Sequence, residues 1–286
     1  MDVTIPEKIS PLLQDYTNLL MSELPDVIHG VYLYGSIALS AFDEHKSDID
    51  FITVLKRSLT NTETELVQKL HHTLKKGNSL AKRLDGMYIN LEDIGKDNKS
   101  LQPYPCCASG TFKKMGYWDI NHVTWWTLKH HGVTVVGKRL AELRIATQWL
   151  DVEETMNYNV NEYWAKKGKS RIYFLFDGWV EDAVLTLCRI YYTLKFKEII
   201  PKGKAVEYAL QVFPSEWHLL LRESLRIRNG ENEPSYFSSR IKRAKETRRF
   251  ILYLIAFCNS NFFTSDTRSD KQAYVCPNVE GATRDS

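Results

Sequence analysis

Apolar residues recur at helical spacing over residues 7–24, where Ile9, Leu12, Leu13, Tyr16, Leu19, Leu20 and Leu24 share a face until Pro25 stops the run. The period then shortens. Residues 27–34 (VIHGVYLY) are rich in β-formers and end at Gly35-Ser36, which predicts a strand. A short helical piece over 37–42, a polar turn at 43–46 and a second strand over 48–55 (DIDFITVL) follow. Residues 60–76 predict a helix with apolar Leu66, Val67, Leu70 and Leu74, and residues 85–91 (DGMYINL) a third strand. Residues 123–131 predict a helix closed by Gly132, with His130-His131 at its dipole-favoured end. Together these make a small α/β unit.

The period changes from about Glu153 onward. Helical patterns over 160–164, 179–194, 202–212, 216–228 and 238–260 are punctuated by Asn157, Gly168, Gly178, Pro201, Pro214 and Asn229-Gly230. The expected organisation is therefore an N-terminal unit over 1–150, a helical bundle over 151–262, and a polar, patternless, flexible tail over 263–286.

Composition narrows the class. Of 286 residues, 43% are hydrophobic and 26% charged, enough to build a core and too many apolar residues for a disordered chain. The balance of 38 basic and 35 acidic side chains gives a net charge of +3, with no basic stripe that would mark a nucleic-acid binder. No apolar run reaches the roughly 18–20 residues needed to cross a bilayer, and the N-terminus has no apolar signal core. Five cysteines without a C-x-x-C pair argue against a disulfide framework, and the histidines match no zinc spacing. A cytoplasmic protein without membrane or nucleic-acid partners is expected.

One constellation carries chemistry. Gly35-Ser36 ends the first strand and Ser47-Asp48-Ile49-Asp50 opens the second. Aspartates at i and i+2 on a strand project to one face about 6–7 Å apart, a spacing that suits one or two divalent cations. Mg²⁺ held by one or two carboxylates and substrate phosphates is the usual arrangement at nucleotide sites. Gly35 permits close backbone approach, and Ser36 at a helix start offers a hydroxyl and amides to phosphate oxygens. Asp85, opening the third strand, is the candidate third carboxylate.

Leu33-Tyr34-Gly35-Ser36 with Ser47-Asp48-Ile49-Asp50 resembles the signature of the DNA polymerase beta-like nucleotidyltransferases. Asn121-His122-Val123-Thr124-Trp125, Val135-Val136-Gly137, residues 182–194 (DAVLTLCRIYYTL) and residues 199–205 (IIPKGKA) are similar to segments of the streptomycin/spectinomycin adenylyltransferases. In the last segment Pro201 stands where that family has serine. The resemblance implies an α+β fold: a mixed-sheet nucleotidyltransferase domain followed by an all-α bundle, with the active site between them.

It also implies a reaction, transfer of AMP from ATP to a hydroxyl of an aminoglycoside or aminocyclitol, and drug resistance as its consequence. Asp48 and Asp50 fall on the family's metal ligands, and Asp85 on its catalytic base and third acid, where glutamate is usual. Gly35 and Ser36 fall on its nucleotide-binding turn, and Arg189 and Lys202 on its phosphate contacts, with Lys204 an alternative to Lys202. Glu181 and Asp182 are the candidate drug-binding acids, although carboxylates near a helix start equally suit the helix dipole. Trp118, Trp125 and Trp126 are candidate aromatic walls, and Asp177 is a further possible acid. The implied cofactor is Mg²⁺, the co-substrate ATP, and the working state a monomer. Transfer of AMP to a protein or RNA acceptor, and nucleotide binding without turnover, are the alternatives.

Overall fold

The computed structural model describes residues 4–170, 172–230 and 232–263, so the expected tail lies outside the described residues from residue 264 onward. The chain forms two units, one running to Gln148 and the other starting at Trp149. In the first, α1 (Ser10–Glu23) leads to β1 (Ile28–Leu33), the single turn α2 (Gly35–Ala38), β2 (Ile49–Leu55) and α3 (Asn61–Gly77). Then come β3 (Leu84–Asn90), β4 (Tyr104–Ala108), β5 (Thr111–Gly116), α4 (His122–His131) and β6 (Val133–Gly137).

The strands lie in the order β5-β4-β3-β2-β1-β6. β2 and β3 are parallel and the other pairs antiparallel, giving a mixed sheet. Side chains alternate across it. Val31, Leu33, Phe51, Leu84 and Tyr88 join the core formed with α1 and α3, whereas Tyr32, Ile52, Val54, Met87 and Cys106 join Trp125 and Leu128 of α4.

Strands β4, β5 and β6 escaped the sequence pattern for physical reasons. β4 carries Pro105, β5 is an edge strand with solvent-facing Lys113 and Lys114, and β6 is half-buried along its length. None is the long, nearly fully buried run that marks β1–β3; a charged edge such as β5 resists unwanted pairing. α3 begins at the expected place because Thr60 and Glu63 form a reciprocal capping box, and Arg57 grips Glu63 through two 2.8 Å hydrogen bonds.

A polar chain crosses the core beneath α3. Cys107 Sγ lies 3.5 Å from His71 Nδ1, His71 Nε2 2.7 Å from the Tyr88 hydroxyl, and that hydroxyl 2.8 Å from Tyr16, which reaches Thr53 at 2.6 Å. Burial lowers the His71 pKa to about 3, so the ring is neutral in the fold. The unfolded chain takes up that proton below its ordinary value of 6.5, so stability is lost as pH falls from 6.5 toward 3. Lowering the pH from 7 to 5 should remove about 2 kcal/mol more unfolding free energy from the wild type than from a His71→Gln variant, as read by urea unfolding. Parallel losses in the two proteins would refute a neutral, buried His71.

The second unit is helical: α5 (Trp149–Tyr158), a π-helical turn (Asn159–Trp164), α6 (Ala165–Gly168), α7 (Asp177–Phe196), α8 (Lys202–Val212), α9 (His218–Asn229) and α10 (Arg240–Phe262). α7 is its axis, buried along Val180, Ala183, Val184, Leu187, Ile190 and Leu194 and packed against α8, α9 and α10. Among the described residues no helix is long and apolar enough to cross a membrane.

An ion network pins this unit. Glu223 is fully buried and accepts from Arg226, Ser235, the Tyr236 N–H and Arg243; Arg243, 2% exposed, also donates to Leu175 O and Asp177. Burial alone would raise Glu223, but these donors outweigh it and hold its pKa at about 2.

Candidate active site

β1 delivers an extended Tyr34 into Gly35, which sits at φ +63°, the left-handed region open to glycine. A β-carbon there would collide with the Asp50 carboxylate. Turn and acid are thus built against each other. The Asp50 carbonyl accepts from the Tyr34 N–H at 3.1 Å, and its carboxylate accepts from the Ser36 N–H. The Ser36 hydroxyl oxygen is buried, with no hydrogen-bond partner among the described residues. Such an orphan costs about 1–3 kcal/mol, a cost that an oxygen-rich ligand at the turn would remove.

Parallel pairing of β2 and β3 puts Asp50 directly opposite Asp85. Both share the sheet face of Ile52 and Met87, and Asp48 precedes β2 by one residue. Asp85 is 7% exposed and accepts from the Ser109 N–H of the β4–β5 turn, where Ser109 and Gly110 both have positive φ. Burial, together with the negative charges of Asp48, Asp85 and Asp119, raises the Asp50 pKa well above the usual carboxylate range, against the Ser36 hydrogen bond.

Asp119 was not anticipated from sequence. It lies in the turn before α4 and accepts from the side chain of Asn121, the helix N-cap, at 2.8 Å. Its signal was the D-x-N spacing at the head of a predicted helix. Arg83 was missed too. It donates to the carbonyls of Asp43, Glu44 and Ser47 and lies over the Phe42 ring, fastening the loop that delivers Asp48.

Among the described residues, no three histidine, cysteine, aspartate or glutamate side chains are already gathered as a metal cluster. The donor set nevertheless fits a hard divalent cation: Asp48 and Asp50 offer oxygen ligands, and the repulsion on Asp50 is what such a charge would relieve.

The helical unit holds the other candidates. Arg189 is half-buried on α7 and Lys204 exposed on α8. Lys202 pairs with Asp182 at 2.9 Å, and Glu181 with Arg228 at 3.2 Å. The acids expected for the drug are therefore held by cations in this structure. Trp125 requires correction as an aromatic wall: it is fully buried and its indole N–H donates to Lys96 O at 2.7 Å, so it is core. Trp118 is half-buried, with the Lys113 ammonium 5.8 Å from its ring centroid. A groove of about 800 Å³ lined by Leu55, Asn90, Glu92, Gln102 and Lys114 lies at the far ends of β2 and β3 and includes none of the site acids.

Residues 155–253 match the family described as aminoglycoside adenylyltransferase, C-terminal domain. The helical unit carries this family's C-terminal domain. Among its relatives, the spectinomycin 9-adenylyltransferase of Campylobacter jejuni is 22% identical over 230 residues, covering 76% of this chain and 82% of the relative. The aminoglycoside (3'') (9) adenylyltransferase of Escherichia coli is 24% identical over 270 residues, covering 86% and 94%. The fold is shared with the crystal structure of a spectinomycin adenyltransferase from Enterococcus faecialis with ATP and spectinomycin, at a TM-score of 0.62, 18% identity, and coverage of 86% of this chain and 98% of that one. The family match lies in the helical unit, and the two sequence relatives extend the likeness over most of the chain.

Proposed function

We propose that this protein transfers AMP from ATP to a hydroxyl of an aminoglycoside or aminocyclitol, with spectinomycin and streptomycin as the first candidates. The observation that carries this reading is the pairing of Asp50 with Asp85 beside the Gly35–Ser36 turn. Asp48 and Asp50 would hold Mg²⁺, which when bound supplies positive charge against the phosphate oxygens. Ser36 and the Gly35 backbone receive phosphate oxygens.

Asp85 orients the acceptor hydroxyl and takes its proton. The new bond joins that oxygen to the α-phosphorus, the α-phosphorus–bridging-oxygen bond breaks, and pyrophosphate leaves. Arg189 and Lys202 are proposed to bind phosphate oxygens, with Lys204 as the alternative for Lys202, because phosphoryl-type transfer is chiefly positioning and charge stabilisation. For Lys202 this requires release of Asp182, which is then available to an ammonium of the acceptor; Glu181 is proposed for the same acceptor role. Trp118 remains a proposed aromatic contact.

Pyrophosphate release from ATP and Mg²⁺ over a panel of aminoglycosides tests the reading. Release with spectinomycin or streptomycin, and none with Asp48→Asn, is expected. Silence across the panel would overturn it. In the same assay Arg83→Lys should lower turnover about 10- to 100-fold with the melting curve retained, because a point charge cannot span three carbonyls and Asp48 loses its placement. Unchanged turnover would show that the 43–47 loop holds itself.

A further inference from the structure

Three aromatic rings converge on one ammonium in the helical unit. Lys167 Nζ lies 4.4 Å from the Tyr173 centroid, 4.4 Å from that of Trp179 and 5.6 Å from that of Tyr163. The rings come from three segments: Tyr163 from the π-helical turn, Tyr173 from the 3₁₀ turn Tyr173–Leu175, and Trp179 from the first turn of α7. Tyr173 and Trp179 stand 4.7 Å apart at a tilt of 37°, so they form two walls of a cage rather than a flat stack.

Two features distinguish this cage from core packing. It is open, because Tyr173 is 37% exposed and the neighbouring Ile172 and Phe176 are 66% and 57% exposed. Its cation also rests on ring faces alone among the described residues. Among the described residues no carboxylate lies within ion-pair distance of Lys167, whose ammonium rests on ring faces at the end of a flexible stem. A lysine held in this way contributes little, since exposed cation–π contacts are weak. A more weakly hydrated cation, such as a methylated ammonium, leaves water at lower cost and competes well for the same faces. The π-helical turn that presents Tyr163 is a feature concentrated at functional sites.

We propose that Tyr163, Tyr173 and Trp179 form a binding site for organic ammonium groups, occupied by Lys167 in the free protein and vacated when a ligand cation enters. Lys167 acts as an internal competitor that sets a threshold for entry. The occupant we assign is an ammonium of the acceptor, because Glu181 and Asp182 follow Trp179 on the same helix. That assignment rests on the adenylylation reading; the cage itself does not.

The test has two arms on the full chain. In the first, tryptophan emission is followed during titration with tetramethylammonium chloride against sodium chloride at equal ionic strength. A saturable change is expected in the wild type, absent in Trp179→Phe, with half-saturation about two- to five-fold lower in Lys167→Met. No saturable change dependent on Trp179, or the same half-saturation in Lys167→Met, would overturn the cage. Circular dichroism and melting curves verify that both variants are folded.

In the second arm, Lys167→Met should lower the KM for spectinomycin by a similar factor with kcat unchanged. An unaltered or raised KM would remove the acceptor as occupant. If no drug releases pyrophosphate, the adenylylation reading and the assigned occupant fall, and the first arm alone decides the cage.

Discussion

Replacing Asp50 with asparagine is expected to raise the melting temperature of the free protein by roughly 3–6 °C while reducing AMP transfer about a thousand-fold. The stabilisation follows from the site's electrostatics. Asp50 is held where burial and the charges of Asp48, Asp85 and Asp119 all disfavour its ionised form. Asparagine keeps an oxygen for the Ser36 N–H and removes the charge.

The sign also fixes a pH dependence. The native state holds the Asp50 proton more tightly than the unfolded chain, so the stability of the free wild type falls as pH rises from 3.8 through the elevated native value. That component is absent in Asp50→Asn. Loss of transfer is expected on the proposed role of Asp50 as a metal ligand, because a neutral amide is a poor ligand for Mg²⁺. Scanning calorimetry with and without Mg²⁺ and ATP checks both halves: the ligands should raise the wild-type midpoint and leave the variant's almost unmoved. A variant less stable than the wild type would show that Asp50 is a structural acid rather than one kept under strain for a ligand.

Glu223→Ala should have the opposite character, destabilising the helical unit by about 3–5 kcal/mol. Removing the carboxylate leaves Arg243, 2% exposed, without its buried counter-charge, and leaves the Ser235 hydroxyl and Tyr236 N–H without their acceptor. The depressed pKa of Glu223, about 2, makes a related prediction. Its contribution is complete above 4.5 and is lost as pH falls toward 2. Urea unfolding at pH 7 measures the first effect. A change below about 1 kcal/mol would mean that water replaces the carboxylate, and that Arg243 is less confined than its burial indicates. The double variant Glu223→Met with Arg243→Met should recover much of the loss, since apolar replacement of a buried pair is far milder than breaking it.

Much of the fold was legible because its driving pattern was local. β1, β2 and β3 alternate across two buried faces, and α1, α3 and α7 carry apolar stripes long enough to outweigh noise in single positions. The strands that escaped are stabilised by where they sit. Lys113 and Lys114 on β5 and Pro105 on β4 read as loop residues until β3 supplies the pairing edge for β4, and β4 for β5. The same applies to side chains whose role depends on a partner far along the chain. Trp125 is as aromatic as a pocket wall, and only its hydrogen bond to Lys96 O reveals it as core. Asp182 and Lys202 were each read separately; their ion pair spans 20 residues of sequence.

The sequence by itself determined the chemistry that is available: a glycine that tolerates the left-handed turn, a serine beside it, and two aspartates spaced to share a strand face. These are properties of residue type and short spacing, set by sterics and by the strand's period of two. The tertiary structure decided which of these groups meet. Parallel pairing of β2 with β3 placed Asp85 opposite Asp50, the turn before α4 added Asp119 to the same field, and three separate segments closed an aromatic cage on Lys167. Electrostatic and cation–π interactions depend on distances through space, and packing sets those distances.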